Sequence, residues 1–295
     1  MYKVLLLTDF SAASQHAIAY AQTLFDDVST DFCLLHVFPL EPELGYGSAF
    51  LLADERETTE KSLEKLQQTI TQQPVPAYHT YRNMVAVGDL EGAVAQLVKQ
   101  EAFDAVVVGA TGAGQSKLFG SVATGIIRRG KTNVLVIPAS AAIRPLKQVV
   151  LATNYQSVND AESLVMLKEL VSRKAAQLTL LTIEKPGKPD QKPSEVDQLY
   201  VEHALEATQN DEYIIRDEDV QHGIDAYLDT HTVDLLVMIP HHKSVVDVLL
   251  NNSVTRSVAF NPRVPLLALY DTALADKAPT SAKSDDESIL FPTYF

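Results

Sequence analysis

Residues 106–138, VVVGATGAGQSKLFGSVATGIIRRGKTNVLVIP, carry the order on which the fold turns. An apolar run, a glycine-rich stretch, an amphipathic segment and a second apolar run follow one another. Short apolar runs bounded by glycine read as strands buried on both faces, and the segment between them as a helix. A glycine-rich turn feeding a helix N-terminus presents free backbone N–H groups and the positive end of the helix dipole to an anion. Phosphate is the usual biological anion for such a seat.

The same alternation extends toward the N-terminus. Val4 to Thr8 is a short apolar strand, and Ser11 to Leu24 places Ala13, Ala17, Ala21 and Leu24 at helical spacing. Asp9 and Ser11 stand where N-cap residues belong. Phe32 to Phe38 is a second strand, followed by a loop over 39–47 with two prolines and two glycines. Leu51 to Thr71 favours helix, and its run DERETTEKSLEK (54–65) reads as a solvated helix face. Tyr78 to Val87 is a third strand, of mixed character and therefore expected near the sheet edge. Asp89 to Glu101 is a helix, and Ala105 to Val108 and Asn133 to Ile137 are the last two strands of this half. Strands alternating with helices imply a parallel sheet covered on both faces, with right-handed crossovers.

This order is written a second time. KVLLLTD (3–9) aligns with QVVLATN (148–154), and FDAVVV (103–108) with VDLLVM (233–238). Ser121-Val122 aligns with Ser253-Val254, and Asn133-Val134-Leu135 with Pro265-Leu266-Leu267. The offsets are 145, 130, 132 and 132 residues, which is steady enough to mark a repeated unit. The expected architecture is α/β: two tandem open-sheet domains, 1–140 and 146–271, and a tail over 272–295. The apolar last strands, NVLVIP and VPLLAL, are expected to pair with each other across a pseudo-twofold axis. The tail turns polar (ADKAPTSAKSDDES) and reads as disordered, then ends in the apolar ILFPTYF. Two readings of that end stand: docking onto the body or a partner, and no fixed place.

A length of 295 residues suits two domains that each bury a core. The formal net charge of -14 argues against general binding to nucleic acid or an anionic membrane, both of which need a basic face. It does not exclude a phosphate held locally by backbone amides. No apolar run approaches the roughly 18 to 20 residues of a membrane span, and MYKVLLLTDF lacks the pattern of a signal peptide. Cys33 is the lone cysteine and reads as a buried thiol in a reducing cytoplasm.

The glycine-rich stretch fails two generic tests. Gly109 and Gly114 have the spacing of a Walker loop, but Gln115-Ser116-Lys117 follows, which misplaces the lysine. Gly112-Ala113-Gly114 lacks the third glycine of a dinucleotide fingerprint and follows the fourth strand, not the first. A backbone-amide cradle remains, using Gly109 and Gly112 at the strand end and Gly120-Ser121 opening the helix. The structural alternative is that the glycines merely permit a tight strand-to-helix turn. Arg128 and Arg129 lie past the loop and read as a solvated helix face. His222, His231, His241 and His242 have no metal-ligand spacing, so no metal is expected. No Gly-x-Ser-x-Gly elbow is present and no catalytic residue is assigned.

VLLLTDFS, LLHV, VGD before a helix and VVVGATG…GSVATGIIRR…NVLVIP together resemble the universal stress protein family, over nearly all of residues 1–270. The resemblance implies an adenine nucleotide alpha hydrolase-like fold with five-stranded parallel sheets, and dimerisation through the last strand. It also implies ATP or AMP, with magnesium, on a Gly-x2-Gly-x9-Gly-Ser/Thr motif and an aspartate after the first strand. Carried over residue by residue, the site is Asp9, Gly109, Gly112, Gly120 and Ser121, with the backbone at Val37 as a second adenine contact. Hydrolysis is expected to be slow or absent. Seven residues, not nine, separate Gly112 from Gly120. In the second copy nine separate His242 from Asn252, but Ile239, His242 and Asn252 replace the glycines and Asn154 the aspartate. That copy is expected not to bind ATP in the family manner. The alternative for the whole chain is a nucleotide-free interaction module, its two halves packed as a pseudo-dimer and open to homodimerisation.

Overall fold

Eleven strands join in one sheet in the computed structural model, which describes residues 1–39, 48–72, 74–110, 118–129, 131–155, 158, 161–186, 194–206, 208, 210–239, 263–270 and 289–292. The first half runs β1 (Tyr2–Leu7), α1 (Ala12–Leu24), β2 (Thr30–Phe38), α2 (Ser48–Thr71), β3 (His79–Val87), α3 (Leu90–Gln100), β4 (Ala105–Ala110), α4 (Leu118–Arg129) and β5 (Asn133–Pro138). The second runs β6 (Gln148–Ala152), a 3-10 turn (Ala161–Leu164), α5 (Val165–Lys174), β7 (Gln177–Glu184), α6 (Glu195–Ala204), β8 (Asn210–Arg216), α7 (Val220–Thr230), β9 (Leu235–Met238) and β10 (Leu266–Ala268). A last strand, β11 (Ile289–Pro292), follows the tail.

The strand order is β11-β3-β2-β1-β4-β5-β10-β9-β6-β7-β8. Within each half the pairings are parallel, and the order of the second half mirrors the first. The two halves meet where β10 runs antiparallel to β5, with Leu266, Leu267 and Ala268 opposite Val136, Leu135 and Val134. The sheet is therefore continuous, and its two faces carry two cores. Val4, Leu6, Phe32, Leu34, Val107 and Leu135 point to one face; Leu5, Leu7, Cys33, Leu35, Val106 and Val134 point to the other. Alternate residues of uninterrupted apolar runs serve opposite faces, which is why these strands show no polar alternation.

Small details recur in both halves. Asp104 accepts from the backbone N–H of Lys3 at 2.7 Å, and its own N–H donates to the Lys3 carbonyl at 2.8 Å. Asp234 repeats this with Gln148, at 2.9 Å in each direction. Asp234 also accepts from the Lys147 N–H at 2.9 Å and from Arg144 Nε at 2.7 Å, which ties the connecting segment to the second half. Across the junction Arg173 and Lys174 of α5 pair with Asp27 and Asp26 after α1. The cleft lined by Tyr20, Thr23, Arg144 and Lys174 there holds about 90 Å³. Pockets for small ligands run to roughly 300–1,000 Å³, so it is too small for a nucleotide.

β3 is not an edge. Ile289 to Pro292 lie antiparallel along it, with Ile289 opposite Val87 and Pro292 opposite Met84. β11 is its second neighbour and lies along the buried residues Met84 to Val87; the mixed residues Thr80 to Asn83 are those it does not reach. The solvated face expected over 54–65 is present on α2, with Lys61–Glu57 at 2.6 Å and Arg56–Glu60 at 2.7 Å, while Thr59 and Leu63 turn inward.

Candidate functional site

The chain leaves β1, builds β2 and β3 on one side, then returns to lay β4 on the other side of β1. Such a reversal opens a crevice beyond the carboxyl ends of the strands, where ligands of open α/β sheets bind. Asp9 follows β1 at this point, and Ala110 ends β4.

A tight corner joins β1 to α1. Phe10 has a φ of 63°, a left-handed conformation that costs a non-glycine residue about 1–2 kcal/mol. Thr8 compensates: its Oγ1 accepts from the Phe10 N–H at 3.0 Å and lies 3.2 Å from Ser14 Oγ. The Ser14 hydroxyl donates to the Ser11 carbonyl at 3.0 Å, and His36 Nδ1 lies 2.7 Å from the Thr8 carbonyl, which fixes a proton on that nitrogen. The Phe10 ring packs over His36 at 4.7 Å. Ser11, not Asp9, is the N-cap of α1 and accepts from the Ser14 N–H at 3.2 Å. Asp9 instead accepts from the Ser11 N–H at 3.0 Å and is otherwise exposed. Desolvation at the corner works to raise its carboxyl, and hydrogen bonds from Ser11 and Ser14 outweigh that, holding it below the usual carboxylate range. It is an anion at neutral pH, able only to accept hydrogen bonds.

Val37 lies near the end of β2, opposite Ala86 of β3. Leu35 accepts from the Thr8 N–H at 2.9 Å, and Phe38 accepts from the Gly88 N–H at 2.9 Å on the other side. Backbone groups alternate along a strand, so Val37 turns its N–H and C=O toward the side where β1 has already ended and Asp9 follows. One donor and one acceptor of the main chain thus face the crevice.

Gly109 is not in a turn. β4 continues through Ala110, and Gly109 is buried within it, opposite Ile137. A Cβ on Gly109 would stand 2.6 Å from the Ala13 carbonyl oxygen, so its bareness lets α1 pack against β4. Gly120 and Ser121 fall inside the first turn of α4, which begins at Leu118, and do not open it. Gly112, His241, His242 and Asn252 lie outside the described residues. Arg129 pairs with Glu91 at 3.4 Å and Asp89 at 3.6 Å, and Arg128 is exposed, in keeping with a solvated helix face.

The second half repeats the corner. Tyr155 has a φ of 61°, and its N–H donates to Thr153 Oγ1 at 2.9 Å. Asn154 takes the place of Asp9, and the buried Ile239 that of Gly109. Sequence reasoning passed over Thr8 and Phe10; the signal for them was the repeated Thr-x-aromatic triplet, Thr8-Asp9-Phe10 and Thr153-Asn154-Tyr155. His222 sits 2.6 Å from Asp217, and His231 stacks on Tyr227 at 4.1 Å. Among the described residues no group of three or more His, Cys, Asp or Glu side chains could hold a metal ion. No helix among them is long and apolar enough to cross a membrane.

An α/β fold with a mostly parallel sheet, helices on both faces and a crevice at the strand reversal defines the class. Within it, residues 1–138 match the model of the universal stress protein family. The whole chain is similar to a universal stress protein from Archaeoglobus fulgidus DSM 4304, at 16% identity and a TM-score of 0.66, covering 90% of this chain and 95% of that one. It is also similar to a putative universal stress protein from Pseudomonas aeruginosa UCBPP-PA14, at 13% identity and a TM-score of 0.52, covering 91% and 93%. At such identities the likeness is one of fold. No curated protein matches the chain.

Proposed function

We propose that this chain is a stress-response protein of the universal stress family, whose first half binds one adenine nucleotide, ATP or AMP, without rapid hydrolysis. What supports the reading most is the placement of an ionised Asp9, after β1, and of Val37, whose N–H and C=O turn away from β3, at the same strand reversal. An adenine edge offers amino hydrogens to a carboxylate and carbonyl, and a ring nitrogen to an N–H. The first turn of α4, with Gly120 and Ser121, supplies amides and a dipole end for phosphate, and Gly112 is assigned to the same seat. Magnesium would enter with the phosphates, because it keeps several waters and needs few protein ligands.

The second half, 146–271, is read as a degenerate unit of the same fold that holds no nucleotide. The mirrored strand order and the repeated Asp104/Asp234 clamp support the duplication. Ile239 fills the place where Gly109 leaves its strand bare. Cytoplasmic residence is in keeping with Cys33, a fully buried thiol that burial pushes up to about 12 and so keeps inert.

A second reading, an interaction module without nucleotide, draws on Gly109: its bareness already has a reason in the packing of α1. Thermal melting of the full chain with and without millimolar ATP and magnesium separates the two. Ligand that binds only the native state raises the melting temperature. The expected result is a rise that Asp9→Ala and Gly120→Val each diminish, with at most one nucleotide per chain in equilibrium dialysis. An unchanged melting temperature and no retained nucleotide would leave the interaction module standing.

A further inference from the structure

We propose that two copies of this chain associate edge to edge through β8, antiparallel, with Ile214 on the twofold axis. The two ends of the sheet are treated differently. At one end β11 covers β3. The Gly88 N–H points to β2, so Val85 and Val87 turn their peptide groups to β11, where Phe291 and Ile289 meet them. Leu290 and Pro292 then face outward, and Pro292 has no N–H to offer a further strand. This end is closed. At the other end β8 is the last strand of the sheet, and among the described residues nothing pairs with its outer side.

β8 has the composition of a contact surface. Large apolar side chains exposed among the described residues number nine, and five of them lie on α6 and β8: Val196, Leu199, Tyr200, Tyr213 and Ile214. Ile214 is 55% exposed in the middle of an edge strand. The backbone sets the register. The Asp217 N–H donates to Glu184 of β7 at 3.0 Å, so Asp211, Tyr213 and Ile215 point to β7 and Glu212, Ile214 and Arg216 point outward. A second β8 laid antiparallel can bond only through these outward residues. With Ile214 opposite Ile214, Glu212 stands opposite Arg216 of the second copy, and Arg216 opposite Glu212 of the second copy. Over Glu212 to Arg216 the strand is its own electrostatic complement, and opposite charges directly across an antiparallel pair stabilise it; Asp211 meets Asp217 of the second copy only where the strand ends. Both side chains are accessible: Arg216 is 78% exposed with only a 3.5 Å contact to Glu184, and exposed Glu212 accepts one hydrogen bond from Tyr155 at 3.3 Å. The contact is isologous: the same strand is used by both copies, so it closes as a dimer.

Sedimentation velocity of the full chain over a range of concentrations tests this. A monomer–dimer equilibrium is expected. Arg216→Glu sets glutamate against glutamate at both pairs and should weaken the dimer at least tenfold, and the exchange Glu212→Arg with Arg216→Glu should restore it. Ile214→Pro removes an outward N–H without touching the β7 ladder and should leave a folded monomer by circular dichroism. A full chain that stays monomeric overturns the proposal, as does an Arg216→Glu variant that dimerises as well as the parent. Failure of the charge exchange in a normally folded protein overturns the register; if that variant melts early, Ile214→Pro decides, and a dimer there overturns the contact.

Discussion

The carbonyl oxygen of Ala13 lies 2.6 Å from the point where Gly109 would carry a Cβ. Helix α1 therefore rests on the bare backbone of β4, and the residue is a packing requirement whatever the crevice binds. Gly109→Ala must push α1 away, and overpacking of this kind costs typically about 1–3 kcal/mol. The expected result is a lower urea midpoint with an unchanged slope, measured without nucleotide. A variant as stable as the parent would mean that α1 does not approach β4 so closely.

Thr8 and Thr153 hold the two left-handed corners. Replacing Thr8 with Val keeps the shape but leaves the Phe10 N–H without its acceptor, for about 1–3 kcal/mol. Thr8→Ser keeps the oxygen and should recover most of the loss. The same pair of substitutions at Thr153 should behave alike, because Tyr155 donates to it in the same way. Denaturant titration of the four variants checks the equivalence.

Asp27 makes the junction between halves sensitive to acid. Desolvation works to raise its carboxyl, and the Lys174 hydrogen bond with the charge of Arg173 outweighs it, leaving the group below its ordinary value. A group depressed in the folded state contributes stability above its unfolded value of about 3.9, and loses it as pH falls through the folded one. Asp27→Asn should be less stable than the parent at neutral pH. The gap should close as the pH drops below about 4. Thermal melts of both proteins from neutral to acid measure it; a gap independent of pH would show that the Asp27 charge is not what joins the halves.

The tail can be read amide by amide. Val85 and Val87 face β11, whereas Ala86 faces β2. Truncation after Tyr270 should speed hydrogen exchange at Val85 and Val87 and leave Ala86 protected. Equal exchange in the two proteins would show that β11 does not cover this edge in solution.

Much of the fold was legible because its strands are buried on both faces. Uninterrupted runs such as VVVGA and NVLVIP leave little choice but a covered parallel sheet, and the apolar character of the last strand in each half foretold that β5 and β10 meet. Less was legible where a residue answers to something distant in sequence. Nothing around Gly109 tells that a helix nearly one hundred positions earlier needs its Cβ absent. The division of labour between Asp9 and Ser11 depends on a backbone turned left-handed at Phe10, which no propensity suggests for phenylalanine. β11 has four residues, too few for any period to show, so its partner could not be read.

The late position of β11 in the chain has a consequence for biogenesis. Every strand it neighbours is synthesised roughly two hundred residues before it. During translation the first half can collapse around its own core while the margin of β3 stays bare, ready to join whatever extended segment comes near. The margin is sealed only when Ile289 to Pro292 leave the ribosome. A nascent chain arrested before that point exposes the apolar end of β3, Met84 to Val87, which β11 covers in the folded protein, so loss of Ile289 to Pro292 threatens the half of the protein that was made first.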